Sequence, residues 1–171
     1  NRRNFSLHES DISNELNQII KEYAEDVVDQ YCHGNHNEWD MDSLYSEVLN
    51  TLGMDFNVEK GIRNKENLVN KIFESSLSII EFKKENFDGD LFNNFQKFII
   101  LRTIDEKWQD HLYTMDQLRE GIGLRAYGQK NPLIEYKQEG FTMFEEMMVE
   151  TNKETLKRIF RTDLASIGQR N

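Results

Sequence analysis

The 171 residues contain one proline, Pro132, and nine glycines. Proline clashes with the preceding helical turn, and glycine costs extra order when fixed, so these two residues punctuate chains. Their scarcity leaves long uninterrupted stretches, and the apolar residues in them recur at three- and four-residue steps. That is the period of a helix with one buried face. Leu16, Ile19, Ile20, Tyr23, Val27, Val28 and Tyr31 mark a first helix, with Ser10 or Asp11 as its cap and Gly34 as its stop. Asp40 reads as the next N-cap, with Trp39 and Leu44 at the two positions of a hydrophobic staple. Leu44, Val48 and Leu52 then carry a short helix to Gly53, and residues 53–63 read as a loop. Asn64 caps a third helix along Leu68, Ile72, Phe73, Leu77 and Ile80, ending near Asn86.

Asp88-Gly89-Asp90 breaks the pattern. Leu91, Phe95, Phe98, Leu101, Ile104, Trp108, Leu112, Met115 and Ile122 then predict one helix of about 30 residues, or ~45 Å, ending at Gly121 and Gly123. Residues 123–140, with three glycines and the proline, read as an exposed loop. Phe141, Phe144, Met148, Leu156, Ile159 and Phe160 mark a second long helix. The expected fold class is therefore all-α, a helical lobe followed by a long antiparallel two-helix hairpin over residues 90–165. Phe92, Phe95, Phe98, Trp108, Phe141, Phe144, Met147 and Met148 are expected in the seam of that hairpin, and Trp108, Met115, Phe144 and Met148 are taken as the residues that hold it.

Composition removes several functions. Lys and Arg total 21 against 31 Asp and Glu, a net charge of −10. A nucleic-acid binder needs the opposite sign to displace phosphate counterions. The acidic excess is concentrated in residues 1–85, with nine basic against seventeen acidic side chains; residues 86–171 hold twelve against fourteen. The longest apolar run, Phe98-Ile99-Ile100-Leu101, is far short of the ~20 residues of a membrane span. A single cysteine allows no internal disulfide framework and suits a reducing compartment.

The motifs of chemistry are also missing. None of the nine glycines precedes a lysine, so the chain has no phosphate-binding loop of the Gly-Lys-Ser/Thr kind. Cys32, His33 and His36 supply three soft ligands where structural zinc takes four, so they read as a helix end with incidental histidines. No Gly-x-Ser-x-Gly occurs. Asp105 and His111 are six residues apart, which does not put them on one helical face, so a hydrolase built on His111 is the weakest reading. A free-standing acidic helical module for protein–protein interaction has the support of composition. The segment from Arg119 to Pro132 is more informative: it sets Leu124 and Tyr127 among glycines, and a tyrosine on a polar tip offers a broad contact face and a hydroxyl to another chain. Folding back onto the helices is the equal alternative for Tyr127.

One long constellation adds to this. Asp105, Trp108, His111-Leu112, Met115-Asp116, Leu118-Arg119, Gly121-Ile122, Leu124-Arg125, Tyr127, Gln129, Pro132, Glu135-Tyr136-Lys137, Glu139, Phe141, Met143-Phe144 and Met147 closely resemble the two-helix finger of the SecA family, the ATPase motors of bacterial preprotein translocation. Asp29-Gln30-Tyr31-Cys32 followed by Glu38-Trp39-Asp40 resembles the family's helical wing domain. The resemblance implies three parts: residues 1–9 as the tail of a scaffold helix, 10–86 as the helical wing, and 87–171 as the two-helix finger of the helical scaffold. It implies a C-terminal piece of a longer motor whose nucleotide-binding domains, with ATP and magnesium, lie elsewhere. This piece by itself would be no enzyme and hold no cofactor. Zinc belongs to a C-terminal tail of the family; Cys32-His33-Gly34 resembles part of that motif without its other cysteines, so no metal is carried over.

The resemblance further implies a cytoplasmic protein, peripheral on the inner face of the plasma membrane, whose partners are the SecY channel complex, an unfolded preprotein, the remaining SecA domains and anionic lipids. Tyr127, with Leu124 and Arg125 beside it, would contact the preprotein at the channel mouth. Lys130 and Lys137 would meet channel loops or lipid headgroups. Gly123 and Gly128 depart from the family's usual larger residue and alanine, which would loosen the tip.

Overall fold

The computed structural model describes residues 9–57, 62–125 and 131–163. Five helices account for most of these: α1 (Glu9–Tyr31), α2 (Met41–Leu52), α3 (Lys65–Asn86), α4 (Gly89–Arg125) and α5 (Pro132–Arg161). A 3-10 turn at His36–Glu38 lies between α1 and α2, and the described residues contain no strand.

The helix ends have local causes. Asp40 Oδ1 accepts the Ser43 amide at 3.2 Å and starts α2. Leu44 is fully buried, and Trp39 packs against the same core while its indole donates to Gly34 O at 3.2 Å. Gly53 closes α2 at φ +65°, a left-handed conformation that favours glycine. Asn64 Oδ1 takes the Glu66 amide at 2.7 Å to open α3. The Asp88-Gly89-Asp90 break is itself a cap, since Asp88 Oδ1 accepts the amides of Asp90 (3.0 Å) and Leu91 (3.2 Å) at the head of α4.

All five helices contribute to one hydrophobic core. Val27 and Val28 of α1, Leu44 and Val48 of α2, Leu68 and Ile72 of α3, Phe92, Ile100 and Ile104 of α4, and Leu156, Ile159 and Phe160 of α5 belong to a single cluster. Fully burying such a side chain contributes about 1.5–3 kcal/mol. The core therefore runs across the Asn86–Phe87 boundary, and the bases of α4 and α5 are embedded among α1–α3. Farther along α4 the buried residues are Leu118 and Ile122, which lie outside that cluster. The first part of α4 meets the core through Phe92, Ile99, Ile100 and Ile104 while Asn94, Lys97, Phe98 and Arg102 stay exposed.

Three expectations are corrected. Helix α4 continues through Gly121 and Gly123 to Arg125, and α5 begins at Pro132, so the predicted loop 123–140 contracts to the short connection between them. The proline is a start signal, not a breaker: it sits in the first turn, where no amide proton is needed, and Asn131 Oδ1 accepts the amides of Leu133 (3.0 Å) and Ile134 (3.4 Å). Gly140, assigned to the loop, is buried within α5 against Met115. Phe98 and Phe141 are exposed and not in the seam; Phe98 instead lies beneath the Arg102 guanidinium, 5.7 Å from the ring centroid. Residues 1–8 of the proposed scaffold tail lie outside the described residues.

Candidate substrate-contacting hairpin

The contacts between α4 and α5 define the hairpin. Arg158 Nη1 donates to Thr103 Oγ1 at 3.0 Å, and Nη2 donates to Glu106 Oε2 at 2.8 Å. Arg102 Nε donates to the other Glu106 oxygen at 3.0 Å. These two guanidinium bonds hold the Glu106 carboxyl below the usual carboxylate range. Farther out, Trp108, His111 and Phe144 form a three-ring cluster with centroids 5.5–6.1 Å apart. Next, the Met115 side chain packs on Gly140, where an added Cβ would stand 3.0 Å from Met115 Cε. Positions rise along α4 as their partners fall along α5, so the two helices run antiparallel. Helix α4, with 37 residues, is about 55 Å long, and α5, with 30, about 45 Å. His111 thus makes ring contacts, while Met148 lies on the flank of α5 that faces α1.

A second set of polar contacts joins α5 to α1 and α2. Lys153 Nζ meets Glu47 Oε1 at 2.6 Å, and Thr51 Oγ1 donates to Glu47 Oε2 at 2.6 Å. The Glu47 hydrogen bond raises the Lys153 pKa. Tyr23 is sealed beside Glu47 and Thr51, its hydroxyl without a well-formed hydrogen bond, and burial drives its pKa upward. Asn152 Nδ2 donates to Glu22 Oε2 at 2.8 Å, and Arg161 Nη1 donates to Asn50 O at 2.7 Å.

At the far end, Leu124 stands in the last turn of α4, 75% exposed, and Leu133 and Ile134 are exposed in the first turn of α5. Arg125 ends α4, with its side chain outside the described set. Tyr127 and Lys130 lie outside the described residues. Lys137 is exposed on α5. Leu133 and Ile134 were missed by sequence reasoning, although Ile134, Lys137-Gln138 and Phe141 already keep a helical step leading into α5. Of the soft-ligand trio, Cys32 is buried in the core with its thiol pKa raised by burial, His33 is exposed, and His36 stands edge-on to Trp39.

The model of the SecA Wing and Scaffold domain matches residues 1–163. This chain belongs to that SecA family. Among SecA relatives, it is 34% identical over 163 residues to protein translocase subunit SecA 1 of Chlorobium chlorochromatii, covering 94% of this chain and 16% of the relative. It is 36% identical over 171 residues to protein translocase subunit SecA of Endomicrobium trichonymphae, covering 95% and 19%. It is 36% identical over 160 residues to the SecA of Carboxydothermus hydrogenoformans, covering 91% and 18%. The chain thus spans less than a fifth of the length of these SecA relatives, and its match is to the wing and scaffold. Among the described residues no helix is long and apolar enough to cross a membrane.

Proposed function

We propose that this wing and scaffold unit works within a SecA-type motor of protein export, with the α4–α5 hairpin as the lever that meets the translocating polypeptide. One observation carries the proposal. The bases of both helices are built into the core with α1–α3, while their far ends leave Leu124, Leu133 and Ile134 exposed around the connection. A stiff antiparallel pair anchored at one end and apolar at the other suits contact with an unfolded chain. Such a substrate offers every side chain in turn, so a broad aromatic and aliphatic surface serves better than selective hydrogen-bond readout.

Tyr127, Leu124 and Arg125 form the preprotein contact in this proposal. Lys130 and Lys137 meet the cytoplasmic loops of the SecY channel or anionic headgroups. ATP and magnesium are handled by other parts of a longer polypeptide, whose changes reach the hairpin through its embedded base. The motor acts from the cytoplasmic face of the membrane as a peripheral protein.

The test is a photo-crosslinker at position 127 in a translocase that carries this segment, during transport of a preprotein. The expected result is a crosslink to the preprotein, with transport strongly reduced by Tyr127→Ala and α-helicity unchanged. Normal transport by Tyr127→Ala, or crosslinks only within the motor, rejects the tip assignment.

A further inference from the structure

Tyr23 is a buried polar group that the contacts described so far leave unused. It lies on α1, 2% exposed, with its hydroxyl beside Glu47 and Thr51 of α2. That hydroxyl makes no well-formed hydrogen bond among the described residues. A buried phenol usually finds a partner, because a polar group taken out of water without one carries its full desolvation cost. An idle donor at this position calls for a reason, and Glu47 supplies one.

Each Glu47 oxygen already has one donor, Oε1 from Lys153 Nζ and Oε2 from Thr51 Oγ1. A carboxylate oxygen has room for a second. The two donors in use differ in their freedom. Thr51 is fully buried, and its short side chain is fixed one turn from Glu47 on the same helix. Lys153 reaches across from α5 on a long, flexible stem; its side chain is 36% exposed, against 7% for Glu47. Lys153 also lines an open groove walled by Asp42, Ser43, Ser46 and Asn50 of α2. Glu150, one turn back on α5, attracts the same ammonium. Lys153 therefore has water and other carboxylates to turn to, while Glu47 is held in place.

We propose that Glu47 is a two-position catch between α2 and α5, with the Tyr23 hydroxyl as its reserve donor. With Lys153 seated, the ion pair ties the two helices and the hydroxyl stands idle. With Lys153 swung into the groove, the hydroxyl donates to the freed Glu47 oxygen. The carboxylate then lacks its countercharge but keeps two hydrogen bonds. Without the reserve, opening the pair would also leave one buried oxygen bare. The device thus gives the α2–α5 joint a second position within the folded protein, where an ordinary buried pair opens only by local unfolding. It depends on none of the roles given to the tip.

Acylation of the whole chain by trace acetic anhydride, read lysine by lysine by mass spectrometry, measures how often each amine is free. Lys153 should label more slowly than Lys71, which is exposed on α3. Tyr23→Phe removes the reserve donor and should slow the labelling of Lys153 roughly tenfold, the factor for one hydrogen bond to a charged group, with Lys71 unchanged. A double-mutant cycle in urea gives the second readout. Tyr23→Phe alone should shift the unfolding constant less than about threefold, because no bond is lost. In the Lys153→Met background it should favour unfolding roughly tenfold. Tyr113→Phe, on an exposed side of α4, should act equally in both backgrounds. Circular dichroism establishes that each variant keeps its helicity. Equal labelling of Lys153 in the parent and in Tyr23→Phe overturns the proposal, as does a Lys153 that never labels or an additive cycle. If Lys153→Met does not fold, the labelling comparison decides alone, since it needs only Tyr23→Phe.

Discussion

Lys153 illustrates how a single ion pair joins elements far apart in sequence. Its partner Glu47 has a side chain only 7% exposed and is also bonded by Thr51, so removing either charge strands a polar group near the core. Glu47→Gln should cost about 2–3 kcal/mol, lowering Tm by roughly 4–12 °C, measured by calorimetry. Because the pair raises the folded pKa of Lys153, its contribution is fully present below the unfolded value near 10.4. It is lost as pH rises through the raised folded value. Asp26 shows the opposite case: its raised pKa means that the ionised carboxylate disfavours the fold above the unfolded value near 3.9. Asp26→Asn should therefore raise Tm at neutral pH, with the gain vanishing as the parent protein is acidified through the folded pKa. No gain at neutral pH would mean that the repulsion is absent. The Lys153 pair is not legible from spacing, since its partner lies on another helix; the like charges around Asp26 lie on its own helix, and only its burial is decided by packing.

At the scale of elements, α4 separates two phenylalanines of identical chemistry. Phe92 is fully buried and Phe98 is 55% exposed. Phe92→Ala should destabilise by about 3–5 kcal/mol. Phe98→Ala should cost less than about 1 kcal/mol, since most of its ring already faces water. Equal costs in denaturant titrations would contradict the orientation of α4. Gly121 and Gly123 are helical with open space around them, so the double substitution to alanine should add about 1–2 kcal/mol of stability. A loss instead would restore the glycine-rich turn expected from the sequence. Asp40, Gly53 and Asn64 could be read directly, because each acts through its near neighbours, whereas Asp88 was read only as part of a break and its capping bonds came from the structure. The far ends of α4 and α5 could not. There glycine and proline were read as breakers, whereas the burial of Leu118, Ile122 and Gly140 offsets their modest intrinsic cost, and the first-turn position of the proline removes it.

For the whole molecule, the shared core predicts joint unfolding of α1–α3 with the bases of α4 and α5. Residues 10–86 expressed alone should fail to fold cooperatively, because Leu44, Val48 and Ile72 lose their companions Phe92, Ile100, Leu156 and Ile159. A sharp thermal transition for that piece would show it to be self-sufficient. The sequence by itself determined the all-helical class, the starts of α2 and α3 and the SecA resemblance, since period and capping are properties of neighbouring residues. The tertiary structure alone decided which of several apolar faces is buried, that the bases of α4 and α5 share one core with α1–α3, and that a carboxylate stripe borders an open apolar strip. Those outcomes depend on burial among helices far apart in the chain, and no local pattern encodes which of two equally apolar faces will meet a partner.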